Sequence, residues 1–311
     1  QPPQGRRCRL GCRVTWFSTL SQAQRGHLAM LCFSALVAGS FSLGAMASKF
    51  IAPAALTVVR FALAGALVGA AALLTTRIER KAWQAPWRYG VLGGLLAAYF
   101  VLMFVGLQTA AAVPTAAVFT LTPVMAAGFG WLILGQVTTA RMAAALAIGA
   151  IGATWVIFRG DLAALAQFQI GRGEAIYFIG CVAHAIYAPM VRKLNRGEPA
   201  VVFSFGVMAA GFVILSLWGW RDVLATDWGA LPAIVWICLI YVAVAASALT
   251  FVLLQYAALR LPSAKVMAYT YLVPTWVIGW ELALGRPAPP MNVSGGILLT
   301  VLALFLLLKN D

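Results

Sequence analysis

A chain of 311 residues that is 63% hydrophobic and 10% charged, with mean hydropathy +0.92, is not an ordinary soluble protein. Soluble domains carry about 25% charged residues. The net charge of +14 would point to nucleic acid in a soluble domain, but here the basic residues fall between long apolar runs. A transmembrane β-barrel is excluded as well, because the apolar runs do not alternate in segments of about 10 residues.

Residues 1–26 form a polar tail with Arg6, Arg7, Arg9, Arg13 and Arg25. Cys8 and Cys12 in this tail could be lipidated or bind metal, and two free thiols on a solvated tail are the plainer reading. Ten apolar spans follow, at 28–47, 54–74, 87–108, 113–134, 141–158, 174–192, 200–218, 232–258, 264–284 and 292–308. Roughly 20 apolar residues cross the hydrocarbon of a bilayer. The first run is too long for the core of a cleavable signal peptide, so none is expected. The eighth is overlong, which implies tilt or extension past the membrane. Cys32, Cys181 and Cys238 lie inside spans, and five cysteines without framework spacing predict no structural disulfides.

Charge sets the orientation. With the N-terminus in the cytoplasm, sixteen basic residues fall on the cytoplasmic side and five outside, with Arg60 inside a span. An even number of spans returns the C-terminus to the same side. The expected topology is therefore two cytoplasmic termini.

The two halves repeat. Pro53 and Pro199, Gly65 and Gly211, and Pro86 and Pro232 are each 146 residues apart. Pro123 and Pro274 are separated by 151, and Gly135 and Gly285 by 150. Five spans per copy is odd, so the second copy enters the membrane upside down. The predicted fold is all-α: ten transmembrane helices in two inverted five-helix repeats. The expected divisions are a basic cytoplasmic tail over 1–26, a first repeat over 27–158, an external linker over 159–173, a second repeat over 174–308 and a short tail over 309–311. Secondary transporters share this plan, with substrate near mid-membrane between the repeats.

Several residues carry the resemblance to a known family. Pro53 opens a span that holds Arg60-Phe61, and FVGLQTAAAVPTAAVFTLTPVMAAGFGWLILGQ follows. YAALRLPSAKVMAYTYLVPTWVIGWELALGR stands in the matching place of the second half. The chain resembles the EamA-type drug/metabolite transporter superfamily over nearly its whole length, and within it the bacterial amino-acid exporters of the YddG type. The resemblance implies a multi-pass inner-membrane exporter. Two departures stand out. The family's Gly-Glu at the ends of spans four and nine is Gly135-Gln136 and Gly285-Arg286, and Arg60 has Gly206 as its counterpart.

Proline inside a span frees a backbone carbonyl that must find a partner or a wet cavity. Pro123, Pro274 and Pro189 are therefore expected at kinks beside a central cavity, as hinges or as static packing bends. Gly65/Gly69, Gly90/Gly94 and Gly149/Gly152 have the spacing for close helix contact. Arg60 costs about 2.5–3.5 kcal/mol to insert at the centre of a span, less near its end. It could contact a substrate carboxylate, snorkel, or satisfy the carbonyls of a broken neighbour. His184 sits near mid-membrane with Tyr187 one turn on, suited either to substrate or to an interhelical bond. The remaining cavity candidates are Tyr99, Phe100, Met103, Thr120, Tyr241, Ser247, Thr250, Gln255, Tyr269 and Trp276, the mid-span aromatic and polar residues that an amino-acid pocket would use. Ordinary packing is the alternative for each.

Acids are scarce, and among the eight only Glu281 lies clearly within a span, near its external end. Coupled carriers generally hold a carboxylate at depth, so facilitated export is expected over obligatory antiport. Glu281 could pair with Arg60 or Arg286. A multidrug or cation exporter of the same superfamily is the alternative, but it would want an acid at mid-span. An intramembrane enzyme finds little support: there are no paired intramembrane aspartates, no HExxH and no GxSxG, and Ser263 with Lys265 is a loose Ser/Lys pair. A channel or receptor fits inverted halves less well than a carrier. The chain is expected to act as a monomer in a lipid bilayer on a small-molecule substrate, with no cofactor, metal or nucleic acid.

Overall fold

The computed structural model describes residues 21–167 and 170–308. Cys8, Cys12, the first 20 residues and the 309–311 tail lie outside the described residues. Among the described residues the molecule is built of helices. These are α1 (Gln22–Ala47), α2 (Pro53–Thr75), α3 (Trp87–Leu107), α4 (Ala112–Phe119), α5 (Thr122–Leu134), α6 (Ala140–Ile157), α7 (Leu162–Ala166), α8 (Arg172–Leu194), α9 (Ala200–Ala225), α10 (Ala233–Ala243), α11 (Thr250–Ala258), α12 (Ser263–Ala268), α13 (Val273–Ala283) and α14 (Ser294–Leu308). Among the described residues, nine segments are long and apolar enough to cross a bilayer unbroken or nearly so. The ninth of the ten expected spans, α12–α13, is interrupted.

Local sequence explains the ends. Ser21 opens α1 with a capping box: its side chain accepts from the Gln24 backbone, and the Gln24 side chain accepts from the Ser21 N–H. Thr139 caps α6 with its side chain alone, accepting from the Met142 N–H. Gly135 closes α5 at φ 66°, a left-handed conformation that glycine adopts without a Cβ clash. The expected linker is not bare loop but carries the one-and-a-half-turn α7, capped by Asp161.

Packing follows the inverted pairing. α2 lies against α9, and α6 against α14. α3 lies against α8, while α1 makes the equivalent contact with α10–α11. The α4–α5 span contacts the α12–α13 span. These pairs exchange when the halves are exchanged, as two inverted copies require. Close backbone approach fixes several of them. A Cβ on Gly93 would stand 2.5 Å from the Gly211 backbone nitrogen, and one on Gly152 would stand 2.6 Å from the Gly296 carbonyl. Gly90, by contrast, has open space and Gly94 has ordinary contact, so α3 presents Gly93 to its neighbour rather than the Gly90/Gly94 pair.

The two proline-bearing spans are broken rather than bent. α4 stops at Phe119 and α5 restarts at Thr122 with Pro123 in its first turn. There the missing N–H has no intrahelical partner to lose. The Phe119 carbonyl, four residues before Pro123, is taken by a hydroxyl, Thr122 Oγ1 at 2.7 Å, while Thr120 Oγ1 adds a second bond to Ala117 O (2.6 Å), which also accepts from the Thr120 N–H. In the other half a tight turn over Tyr269–Leu272 separates α12 from α13, and Pro274 sits in the first turn of α13. The two breaks meet, with the Thr122 and Thr270 hydroxyls 3.2 Å apart. Pro189 differs from both: α8 runs through it unbroken.

At the face where the described chain begins, Arg88 forms a clamp. It is 1% exposed and donates to the carbonyls of Leu194, Gln84 and Ala85 and to Glu198 Oε1 at 2.8 Å. Burial pushes the Glu198 carboxyl up, but hydrogen bonds from Arg88 and from the Arg196 backbone outweigh it and hold it below the usual value.

Candidate functional site

Tyr177, Cys181 and His184 are spaced four and three residues apart on α8, so they share one face. All three are buried, and that face meets α3. Tyr99 of α3 places its hydroxyl 3.0 Å from that of Tyr177, and its ring centroid lies 4.4 Å from His184. Phe119, the last residue of α4, packs its edge on His184 at 5.2 Å. Tyr187 stacks on the other side of His184 at 6.2 Å, and its hydroxyl accepts from Gln255 Nε2 of α11 at 2.7 Å. Met103, one turn from Tyr99, is fully buried. The ring network continues through Phe100 to Phe61 and Phe251, at 6.0 and 5.8 Å.

Arg60 closes this network on the α2 side. Between α10 and α11 the helix widens into a π-turn over Val244–Leu249. Such turns leave carbonyls without their regular partners and recur at functional sites. Arg60 Nη2 donates to Ala246 O (2.6 Å) and Nε to Ser247 Oγ (2.5 Å). The Phe100 ring lies 3.6 Å from the guanidinium carbon. Arg60 is 0% exposed, and its Nη1 has no hydrogen-bond partner. His184 Nδ1 and Gln255 Oε1 are likewise buried without partners. Each such orphan costs about 1–3 kcal/mol, more for a charged group.

The expected residues divide accordingly. His184, Tyr187, Tyr99, Phe100, Gln255, Ser247 and Arg60 come together in one connected cluster. Thr120 lies beside Phe119 with its hydroxyl turned to Ala117, and Thr250 lies one turn from Ser247, 3.4 Å from its carbonyl. Three others point elsewhere. Tyr241 bonds Leu36 O and packs on Gly39 and Trp280. Tyr269 sits against the His27 ring. Trp276 is 42% exposed on the outer surface, with its indole N–H on Ser34. Glu281 pairs with Arg286 at 3.1 Å rather than with Arg60. Phe119, Tyr177 and Cys181 were missed. The i, i+4, i+7 spacing from Tyr177 to His184 was the available signal.

The side chains of the cluster close on one another. On the face opposite the Arg88 clamp, a hollow of about 610 Å³ is lined by Thr109, Arg159, Asp161 and Glu174 among others. Glu174 is one α8 turn from Tyr177, so the closed cluster begins just beneath this hollow.

The comparisons agree with this architecture. The pattern of the EamA-like transporter family matches twice, over residues 24–158 and 171–309. The uncharacterized transporter YyaM of Bacillus subtilis (strain 168) is 24% identical over 277 residues, covering 88% of this chain and 90% of that protein. A solved crystal structure superposes with a TM-score of 0.69 at 19% identity, covering 93% of this chain and 96% of the other, which shows the shared fold. With the family pattern matched in both halves, the chain belongs to the EamA-like transporter family.

Proposed function

We propose that this protein exports amino acids or closely related small metabolites by alternating access, in the manner of the YddG-type exporters. The observation that carries the reading is the buried aromatic cluster between the halves, with unpartnered polar atoms on Arg60, His184 and Gln255. A ligand that supplied those partners would stabilise an opened form of the site relative to the closed one, which is what a carrier needs from its substrate. The broken α4–α5 and α12–α13 spans, touching at Thr122 and Thr270, are the elements that would move.

In this reading the protein lies in a bacterial inner membrane and works as a monomer. Both termini, with the 1–26 and 309–311 tails, are cytoplasmic and the 159–173 linker is external. Transport is facilitated, since the cluster contains no carboxylate among the described residues. A cation or multidrug exporter would want an acid where Arg60 stands.

The test is uptake into liposomes with no pH gradient, run across amino acids and cationic dyes. Amino-acid flux that persists without a proton gradient and falls in His184→Ala is expected. Flux of dyes alone contradicts the substrate class, and complete dependence on a proton gradient contradicts facilitated transport.

A further inference from the structure

We infer that a hollow between the α2–α3 and α8–α9 loops binds the phosphate headgroup of an anionic phospholipid. The hollow lies apart from the buried cluster, so the inference goes beyond the transport reading and stands or falls without it.

The fold builds this kind of hollow twice, on opposite faces. One, of about 370 Å³, lies beside the Arg88 clamp, between residues 76–82 after α2 and residues 196–202 at the start of α9. The other, of about 410 Å³, lies between residues 50–52 before α2 and residues 222–232 between α9 and α10. The inverted repeat exchanges the two, because the chain after α2 corresponds to the chain after α9, and the chain before α9 to the chain before α2. Shape therefore comes with the architecture, but charge does not. The first hollow is lined by Arg77, Lys81 and Arg196, with Glu79 and Glu198. The second is lined by Asp222 and Asp227 and by no basic residue.

The cations of the first hollow are unspent. Arg77, Lys81 and Arg196 are exposed, and among the described residues none of them forms an ion pair. Glu198 is already engaged by Arg88 and by the Arg196 N–H, which leaves Glu79 as the one unengaged carboxylate against three cations. A surplus of Lys and Arg on one face follows from topology alone. Topology does not gather three unpartnered cations around one concavity whose walls are already held. Ala82 packs with Ala72 and Val202, and its carbonyl accepts from the Tyr89 hydroxyl, which fixes the α2–α3 loop on α9. The clamp fixes the α8–α9 loop on α3. An anion entering the hollow therefore orders little that is not ordered already.

The surroundings select a lipid over a soluble phosphate. Trp83 and Trp87 are about half exposed beside the hollow, as rings at the headgroup level of a bilayer are. Leu73 and Leu74, three and four residues before Arg77, are among the most exposed apolar side chains of the molecule and offer acyl chains a surface next to the cations. Basic pockets between helices take anionic headgroups in this way. A headgroup bound here touches the first repeat through Arg77 and Lys81 and the second through Arg196.

The experiment uses the full chain in detergent micelles and counts retained ligand by native mass spectrometry over a concentration series. The probes are phosphatidylglycerol, phosphatidylcholine with the same acyl chains, and glycerol 3-phosphate. A basic residue near a headgroup is worth about fivefold in binding. Three cations against one carboxylate predict that phosphatidylglycerol is retained about tenfold or more tightly than phosphatidylcholine, with glycerol 3-phosphate weaker than either. The preference should vanish in the triple variant Arg77→Gln, Lys81→Gln, Arg196→Gln. It should persist in Lys49→Gln, Arg172→Gln, Arg221→Gln, which removes the same charge from exposed positions on the opposite face. Equal retention of the two lipids by the wild-type protein overturns the site without any variant having to fold. Glycerol 3-phosphate bound as tightly as phosphatidylglycerol overturns the lipid assignment. Equal loss in the two triple variants overturns the location.

Discussion

Arg60 and Arg88 are both buried arginines in the first repeat, and their surroundings are opposites. Arg88 stands at a helix end with three carbonyls and the Glu198 carboxylate around it. Arg60 lies within the membrane with one carbonyl, one hydroxyl, a phenyl ring and a vacant donor. Burial alone therefore does not say what a charge is for, and the number of donors satisfied differs between the two. A satisfied guanidinium holds elements together, whereas an unsatisfied one carries a free-energy penalty that, on the proposed reading, a ligand would relieve.

The same contrast divides the repeats. Gly206 replaces Arg60 in the second copy, and its face is filled by the Tyr89 ring. The π-turn that receives Arg60 lies in α10–α11, whereas its counterpart α3 is regular. The halves share a fold, but the buried contact between an arginine of one copy and a widened turn of the other is made once, and on the proposed reading the binding site is built there.

The largest expected effect is on transport in Arg60→Gln, a drop of about tenfold or more in liposome flux with folded yield retained. Removing an uncompensated buried charge does not of itself destabilise a protein. Next, Gly93→Leu should lower thermal stability by about 3 kcal/mol or more, because its side chain would enter the Gly211 backbone; circular dichroism melts check this. Breaking the clamp with Glu198→Gln should cost about 2 kcal/mol near neutral pH. The sign with pH is fixed by the depressed carboxyl. Its stabilisation is present above the ordinary glutamate value, about 4.3, and is lost as pH falls through the lower folded value. Melting curves from pH 7 to pH 3 should therefore show a smaller acid-induced loss in Glu198→Gln than in wild type. Replacing Pro123 and Pro274 by Ala should slow turnover by a few-fold while leaving substrate affinity unchanged, since helix would then extend across both breaks. Unchanged turnover in single-turnover exchange rejects a moving role. The smallest effect belongs to Trp276→Phe on the outer surface, within about 0.5 kcal/mol by melting.

Much of the fold was legible because the bilayer imposes it. Apolar length located the spans, and proline and glycine spacing located the repeat. The breaks were harder to read. Pro123 and Pro274 announced irregular spans, but whether a proline breaks a helix or bends it depends on who takes the freed carbonyls. Thr122 does so in the first half, while α8 passes Pro189 intact. The π-turn carries no proline or glycine and left no mark in VAASAL. The site was half legible for a related reason. Spans that are apolar on every side give no hydrophobic stripe to say which face is inward. His184, Tyr99 and Gln255 could be named as polar or aromatic at mid-span, yet so could Trp276, which faces outward. Phe119 and Tyr177 were not singled out from the sequence; the fold places Phe119 against His184 and Tyr177 against Phe119 and Tyr99.

The contrast between the two arginines is tested most directly by one pair of melts, with and without an amino acid carried in the liposome assay, on Arg60→Gln and Arg88→Gln in nanodiscs. The account predicts that Arg60→Gln keeps the wild-type melting temperature and loses the ligand-induced shift, while Arg88→Gln melts lower and keeps the shift. An Arg60→Gln protein that melts as low as Arg88→Gln yet still responds to the ligand would contradict it.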